Sequence, residues 1–552
     1  MKLQPTRICV AVLTVLFPAI PLTAAATAYP RIDLSTPDGE ARVLIPGDTV
    51  THADVGAAVN ISGANNALLG NGVSIQSGIA GTSVNTQGVT VGADGTLDLS
   101  ASSINALGRD KAIALVVRDA GSKAVLNGTT IKTDGRASLG VSAINGGRVE
   151  ITGGSVFTQG DSSHGLNAAG TDATITAHKA KITVLGDSAS AVYAEDGARI
   201  ILDQAKLEAA GTTPNRGNKG ISVNRGSVTA TNTEIVSVRG MGIHAAGGSI
   251  SFSNGTIDAY RDGVYLSRAG GATFTPANAE MRDAVVHSET GCGIDVNADG
   301  VHATLERVQI GSKGSYVAGI RLPSDNVVTA KDVSIKMTGA SGVGVDNRAG
   351  AFTMDGGTIT TRGVSGHGLY VSELYSGSGG RATSTARGVT IETFGDASIG
   401  VVSRRPGASV VLEGGSVTTR GHTAYGMLAA GARLEATGTT VRTYGDYSAG
   451  LMMGNAGAAV TLDRVDMRTS GAGANGVLAY ANTPGVDNTI SIRNSHIETE
   501  AGNGIAVEGS GLTANLVDTN TARDDASEVP ACFYARVCPA PAASAARRTA
   551  AG

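Results

Sequence analysis

Residues 391–427 read IETFGDASIGVVSRRPGASVVLEGGSVTTRGHTAYGM and contain the same five-residue phrase twice: an apolar residue, any residue, Thr, any residue and Gly. A Gly followed by an aliphatic residue comes several positions later, as in Gly400-Val401 and Gly426-Met427. Neighbouring units are 24 to 32 residues apart, and a period in this range indicates a solenoid. The phrase also occurs at 131–135, 156–160, 359–363, 441–445 and 467–471.

Each unit contains three short extended segments separated by turns, as residues 140–165 illustrate. In their middle segment, alternation places Val149 and Ile151 on one face and Arg148 and Glu150 on the other. The turns are too short for a crossover helix, so each strand must pair with its equivalent one repeat away. The sequence therefore predicts an all-β chain, a right-handed parallel β-helix of about 16 coils with three strands per coil.

The chain divides into four regions. Residues 1–28 have a basic start, an apolar run and the triplet Ala26-Thr27-Ala28, a pattern typical of a secretory signal peptide. We expect cleavage before Tyr29 and export through the inner membrane. Residues 29–60 are predicted to form an amino-terminal cap, residues 61–520 the β-helix, and residues 521–552 a flexible tail rich in Ala and Pro. Cys532 and Cys538 enclose five residues of that tail and are candidates for a disulfide.

Composition limits the classes of function. The 552 residues include 78 Gly and no Trp, and their net charge of -4 gives no reason to expect nucleic-acid binding. The nine His are dispersed without metal-ligand spacing. We therefore predict neither a metal site nor a cofactor.

A signal peptide followed by a Gly-rich, Trp-free parallel β-helix with Thr and Gly repeats resembles the pertactin-like passenger domains of bacterial autotransporters. The resemblance implies an adhesin or other virulence-associated factor, at the cell surface or secreted, and not an enzyme. Its partners would be a host-cell or extracellular-matrix receptor, a glycan or a neighbouring cell surface.

Autotransporters end in a translocator barrel, and this sequence shows no such region. We therefore expect a separate outer-membrane translocator to serve the chain. The alternative is a truncated, non-functional remnant that is retained in the periplasm.

Parallel β-helices also include polysaccharide lyases and hydrolases, which form the alternative function. Asp161 and Asp187 each follow a Gly at a turn and are candidates for a carboxylate pair. We favour a turn-capping role for them, because Arg136 and His422 occupy the same place in other units. His164-Gly165 and His367-Gly368 are similar to the His-Gly of polygalacturonases, but the companion motifs are missing. The sequence thus predicts no catalytic residue.

Aromatic side chains near turns are the candidates for ligand binding. Tyr260 and Tyr265 flank Arg261-Asp262-Gly263, whereas Tyr370 and Tyr375 adjoin a longer excursion at 369–388. Loops that interrupt a solenoid often lie on its binding face. We predict that these four tyrosines contribute to recognition and that the excursion is a recognition loop.

Overall fold

The computed structural model describes residues 25–213, 217–270, 275–373, 381–454, 457–481, 488–509, 512–523 and 533–536. These residues form strands and turns, with no helix among them. Each strand pairs in parallel with its equivalent one coil further on, as Arg148–Thr152 does with Thr174–His178. The chain makes about 18 turns of a β-solenoid, which confirms the predicted parallel β-helix.

The strands form three parallel ladders, which we call sheets 1, 2 and 3 in the order in which a coil visits them. Val327–Met337 and Ala351–Thr361 are long strands that belong to both sheet 1 and sheet 2.

The other strands of sheet 1 are Ala41–Leu44, Ala67–Asn71, Thr96–Ser100, Lys123–Asn127, Arg148–Thr152, Thr174–His178, Arg199–Asp203, Ser227–Thr231, Gly248–Ser253, Thr275–Arg282, His302–Glu306, Thr383–Arg387, Ser409–Glu413, Arg433–Thr437, Ala459–Asp463, Asn488–Arg493 and Leu512–Val517. Those of sheet 2 are Ala28–Tyr29, Thr49–His52, Ser74–Ser77, Ser103–Ala106, Thr130–Thr133, Ser155–Thr158, Lys181–Val184, Lys206–Ala209, Glu234–Ser237, Thr256–Ala259, Val285–Ser288, Gln309–Ser312, Thr390–Thr393, Ser416–Thr419, Thr440–Thr443, Asp466–Thr469, His496–Thr499 and Asn520–Arg523. Sheet 3 contains Ile32–Leu34, Gly56–Ser62, Thr86–Gly92, Ile113–Arg118, Leu139–Ile144, His164–Ala169, Ser190–Glu195, Lys219–Asn224, Met241–Ala246, Val264–Ala269, Ile294–Val296, Ala318–Leu322, Val343–Asn347, Leu369–Ser372, Val401–Arg404, Met427–Ala430, Leu451–Gly454, Val477–Ala481, Ile505–Gly509 and Phe533–Arg536.

The ladders extend beyond the boundaries expected from the sequence. Within the range expected to be a cap, Ile32–Leu34 already pairs with Gly56–Ser62 in sheet 3. After residue 520, Phe533–Arg536 pairs with Ile505–Gly509 in the same sheet. These additional coils account for the difference between about 16 expected turns and about 18 observed.

Alternation along the strands separates the core from the surface. Val149 and Ile151 are 1% and 3% exposed, whereas Arg148 and Glu150 are exposed to solvent. The predicted inward and outward faces of this strand are therefore confirmed. The same alternation in every coil stacks Val, Ile, Leu and Ala into one continuous core.

A single left-handed residue turns the chain from sheet 1 into sheet 2. Asn232 and Asn254 hold this corner in successive coils, with φ of 51° and 53°. Asn tolerates this backbone region better than most residues.

The Thr and Gly of the repeated phrase form the next corner, between sheets 2 and 3. The Oγ1 atoms of Thr419 and Thr443 donate hydrogen bonds to the carbonyls of Ala424 and Ser448, each over 2.6 Å. A Cβ on Gly421 would lie 2.0 Å from the carbonyl oxygen of Gly395 in the preceding coil. The phrase therefore needs Gly because consecutive corners approach each other closely.

The Gly of each Gly-aliphatic pair interlocks neighbouring coils. A Cβ on Gly400 would lie 2.3 Å from Cγ1 of Val417, which opens the phrase of the next coil. The same relation holds between Gly140 and Val156, again over 2.3 Å. The Gly of the Gly-aliphatic pair and the apolar residue that opens the phrase thus form the two sides of one steric contact.

Candidate functional site

The four tyrosines predicted for recognition do not lie on one surface. Tyr265 and Tyr370 belong to strands of sheet 3, whereas Tyr260 follows the sheet 2 strand Thr256–Ala259. The corner at 261–263 separates Tyr260 from Tyr265, which therefore face different sides of the solenoid. Tyr375 lies outside the described residues, as does the middle of the predicted recognition loop, 374–380. Cys532 and Cys538 also lie outside them.

The outer face of sheet 3 carries an unbroken line of polar and aromatic side chains. Each member follows a buried aliphatic residue; Tyr265, for example, stands between Val264 and Leu266, both 0% exposed. The pairing register aligns the members one per coil across nine coils, or about 38 Å at ~4.8 Å per strand. We call this line the polar row; it consists of Asn167, Tyr193, Ser222, His244, Tyr265, Asp295, Arg321, Asp346 and Tyr370.

Three histidine rings contact the tyrosines of the polar row, two of them by stacking. The ring centroids of His164 and Tyr193 are 4.8 Å apart with an interplanar angle of 17°. His367 and Tyr370 are similarly stacked at 5.6 Å and 21°, and His244 is tilted at 47° against Tyr265 over 5.5 Å. The row thus carries three aromatic pairs, and the tyrosine of each pair lies in a strand of sheet 3.

These histidines are neutral over most of the pH range. Burial lowers the pKa of His164, His244 and His367 to about 4 in each case. A nearby cation lowers the pKa further: Lys219 acts on His164 and His244, and Arg348 acts on His367. The backbone N–H of Ser190 donates to Nδ1 of His164 over 3.2 Å, so Nε2 carries the proton of that neutral ring.

The middle of the row contains an ion pair between a buried carboxylate and a half-buried guanidinium. Asp295 has a side chain that is 1% exposed, and Nε of Arg321 donates to its Oδ1 over 3.0 Å. A second N–H of the same guanidinium donates to Oδ2. This bidentate contact raises the pKa of Arg321 and compensates the buried carboxylate.

Asp262, Cys292 and Asp295 form a buried cluster beside this pair. Their potential ligand atoms all lie within 4.8 Å of one another. However, Arg321 occupies both oxygens of Asp295, and burial together with Asp295 raises the pKa of the Cys292 thiol to about 12. The cluster is therefore a charge-compensated part of the row and fits a divalent cation poorly. Cys292 itself is a buried cysteine with a free thiol.

Tyr260 lines a separate groove on the outer side of sheet 2, with a volume of about 760 Å³. Gly311 forms part of its floor, and Lys313 and Glu289 pair across it over 2.8 Å. Its other polar side chains include Asp258, His287 and Lys336. The groove spans several coils and is more exposed than the polar row.

The acidic residues considered for catalysis act as turn caps. Oδ1 of Asp161 accepts a hydrogen bond from the backbone N–H of Asp187 over 2.9 Å. Oδ1 of Asp187 accepts a hydrogen bond from the backbone N–H of Thr213 over 3.0 Å. Oδ1 of Asp396 likewise accepts one from the backbone N–H of His422 over 2.8 Å. The predicted turn-capping role is confirmed, because each carboxylate is engaged by the following coil.

Beyond Tyr370 the same ladder becomes apolar. The register continues from Tyr370 through Val402, Leu428, Met452 and Leu478. Sheet 3 therefore presents a polar and aromatic central stretch followed by an apolar one.

Most of the polar row, including His244, Asp295 and Arg321, was not predicted from the sequence, and neither was Lys219 beside it. A signal for it exists in the printed sequence, because each member follows the aliphatic residue that comes after a small residue, as in Gly344-Val345-Asp346. Aligning the repeat units on this pair of a small and an aliphatic residue places all members of the polar row at one position of the unit.

No family model matches the chain, and no curated protein is significantly similar to it. Among solved structures, the cryo-EM structure of the Vag8–C1 inhibitor complex is similar over 93% of this chain and 100% of that chain, with 15% identity and a TM-score of 0.42. The A-module of the Azotobacter vinelandii mannuronan C-5 epimerase AlgE4 is 13% identical over 82% of this chain and 91% of that chain, with a TM-score of 0.24. The AlgE6 A-module is 12% identical over 81% and 91%, with a TM-score of 0.18.

At these identities and TM-scores the neighbours assign neither a family nor a function. None of the described segments forms a helix of a length and hydrophobicity that would let it cross a bilayer. The chain is a parallel β-solenoid, the architecture that its resemblance to autotransporter passengers implies.

Proposed function

We propose that this chain is an exported, passenger-type adhesin that binds an extended glycan along the polar row of sheet 3. One observation carries the proposal: nine aligned residues on the outer side of sheet 3, six of them partly exposed, combine aromatic rings, donors and acceptors in a line about 38 Å long at ~4.8 Å per strand. A line of this kind suits a linear polymer better than a compact small molecule.

The aromatic pairs are the proposed platforms for sugar rings. Tyr193, Tyr265 and Tyr370 are half-buried, so each keeps part of its ring available on a rigid strand. The guanidinium of Arg348 lies 4.4 Å from the ring centre of Tyr370 and fixes that ring from one side. Apolar ring faces beside a few fixed polar groups are the usual composition of a ligand site.

The polar members would supply orientation. The hydroxyl of Tyr265 accepts a hydrogen bond from Nδ2 of Asn297 over 2.8 Å, and that of Tyr193 donates to Glu195 over 3.1 Å. These contacts hold the rings before a ligand arrives, which reduces the entropy lost on binding.

Binding is tested with purified protein and an array of linear glycans, followed by titration of any hit. Tyr370→Ala should weaken binding roughly tenfold, because it removes on the order of 1.5 kcal/mol of aromatic burial. The matched control is Tyr316→Asn, since Tyr316 is 84% exposed in the turn before sheet 3, outside the polar row, and Asn accepts its φ of 61°. Equal effects of the two substitutions would refute binding along the row.

Export is part of the proposal and rests on the pattern of the first 28 residues. A tagged chain on intact cells should be degraded by added protease or recovered from the medium. Protection until the outer membrane is opened would instead support the periplasmic remnant.

Polysaccharide cleavage is the second candidate, and the surroundings of His244 favour it. Nδ1 of His244 is buried without a hydrogen-bond partner among the described residues, and its ring lies 5.5 Å from that of Tyr265. A neutral imidazole beside a phenol is a possible base and acid pair. New reducing ends after incubation with a bound glycan, absent with His244→Ala, would establish this activity and displace pure adhesion.

A further inference from the structure

Lys219 differs from the other half-buried cations on the outer face of sheet 3. Arg321 pairs with Asp295, and Arg348 pairs with Asp346. In contrast, Nζ of Lys219 donates to the backbone carbonyl of Gly217 over 2.9 Å, and no carboxylate pairs with it within the described ranges. An ammonium group removed from water without a counter-ion costs free energy.

The surroundings of Lys219 are basic. The pairing register places Lys219 in the column that also holds Ser190 and His164, beside the polar row. Burial lowers the pKa of Lys219, and the positive charge of Arg261 lowers it further. Lys219 in turn lowers the pKa of both His164 and His244. Lys219, His164 and His244 therefore lie close together on the face, and none of the described carboxylates forms an ion pair with them, whereas Arg261 pairs with Asp262.

At this position His164 offers a hydrogen-bond donor, and His244 keeps a buried ring nitrogen. Nδ1 of His164 is occupied by the N–H of Ser190, so its Nε2–H is the donor of the ring. Nδ1 of His244 has no partner among the described residues. An anion placed here would accept hydrogen bonds from the ammonium of Lys219 and the imidazole of His164. Such charge-assisted bonds are stronger than neutral ones.

We propose that Lys219, with His164 and His244, forms a carboxylate subsite of the polar row, and that the glycan bound there is a polymer containing uronic acid. This rests on the proposed glycan binding. A sugar carboxylate supplies the missing counter-ion to Lys219, while the adjacent stacked pair of His164 and Tyr193 provides the surface for its ring. The subsite selects acidic over neutral glycans of the same backbone.

The test compares three probes: polyuronate oligosaccharides, the same oligosaccharides after chemical reduction of their carboxyl groups, and a sulfated neutral glycan of equal length. Wild-type protein should bind the polyuronate roughly tenfold to a hundredfold more tightly than its reduced form, as expected for one hydrogen bond to a charged group. Lys219→Met should remove this preference and leave affinity for the reduced form unchanged. Lys206→Met is the matched control, because Lys206 is 71% exposed in sheet 2.

Melting temperatures of both variants establish that they fold, and Lys219→Gln serves as a second variant if the Met variant does not. Equal affinity of wild type for the acidic and reduced forms would overturn the subsite while leaving glycan binding intact. Tighter binding of the sulfated glycan than of the polyuronate would overturn the assignment to a carboxylate. Absence of binding to all three probes would instead contradict the proposed function itself.

Discussion

Gly400→Ala tests the interlock between coils. The added Cβ would lie 2.3 Å from Cγ1 of Val417 and 2.6 Å from the carbonyl oxygen of Gly426. Ala114 and Ala191 occupy the equivalent position in their own coils, so a small shift relieves the carbonyl contact. The overlap with Val417, which is 1% exposed, then remains as the principal cost.

The expected loss for Gly400→Ala is about 1 to 3 kcal/mol, the usual cost of overpacking a core. Val417→Ala alone also destabilises, by about 1 to 3 kcal/mol, because it removes two buried methyl groups. In the double variant the new methyl occupies the space that Val417 vacates. We therefore expect the double variant to be at least about 1 kcal/mol more stable than the sum of the single effects implies.

Urea unfolding followed by circular dichroism gives these differences, and a common slope for all four proteins validates the comparison. Native-state hydrogen exchange of the two coils adds a local measurement, since solenoids lose structure in parts. Additivity to within about 0.5 kcal/mol would refute the interlock.

Three further predictions follow from burial and charge. Ile151→Asp should lower the melting temperature sharply, because the side chain of Ile151 lies inside the coil, whereas Glu150→Lys should not, because that of Glu150 lies outside. Equal melting temperatures of the two variants would contradict the register. Burial lowers the pKa of His164 from 6.5 to about 4, so between these pH values the unfolded chain binds a proton that the folded chain does not. The contribution of His164 to the free energy of unfolding should therefore be fully present above about pH 6.5 and decline as the pH falls to about 4. His164→Gln should reduce the slope of the unfolding free energy against pH in this range. Arg321→Ala should destabilise the chain by up to about 3 kcal/mol in urea unfolding, because it leaves the carboxylate of Asp295 buried and unpaired. Adding Asp295→Asn should restore full stability, and a double variant as unstable as Arg321→Ala would contradict this cause.

The sequence predicted the architecture because the repeat encodes it locally. The Thr and Gly of the phrase determine one corner, and alternation at 148–151 assigns the inward and outward faces without any long-range information. The number of turns was underestimated because the outermost coils lack the phrase, although their strands pair in the same register.

The candidate site was harder to predict because it is assembled across coils. His244, Tyr265 and Asp295 are separated by 20 to 30 residues of sequence, yet they are neighbours in one ladder. Tyr260 and Tyr265 are close in sequence, yet a corner places them on different faces. Proximity along the chain was therefore a misleading guide, whereas position within the repeat unit was the informative one.

The contact between the Gly of one coil and the apolar residue of the next coil also bears on how such a chain changes length. A complete coil carries both halves of the contact, a Gly on one side and an aliphatic such as Val417 on the other. Duplication or loss of a whole coil therefore restores the same contact at the new junction, whereas a partial coil leaves a Gly without its partner. Evolution of the rod by recombination should accordingly proceed in entire turns, with each turn lengthening or shortening the outer face of sheet 3 by one strand.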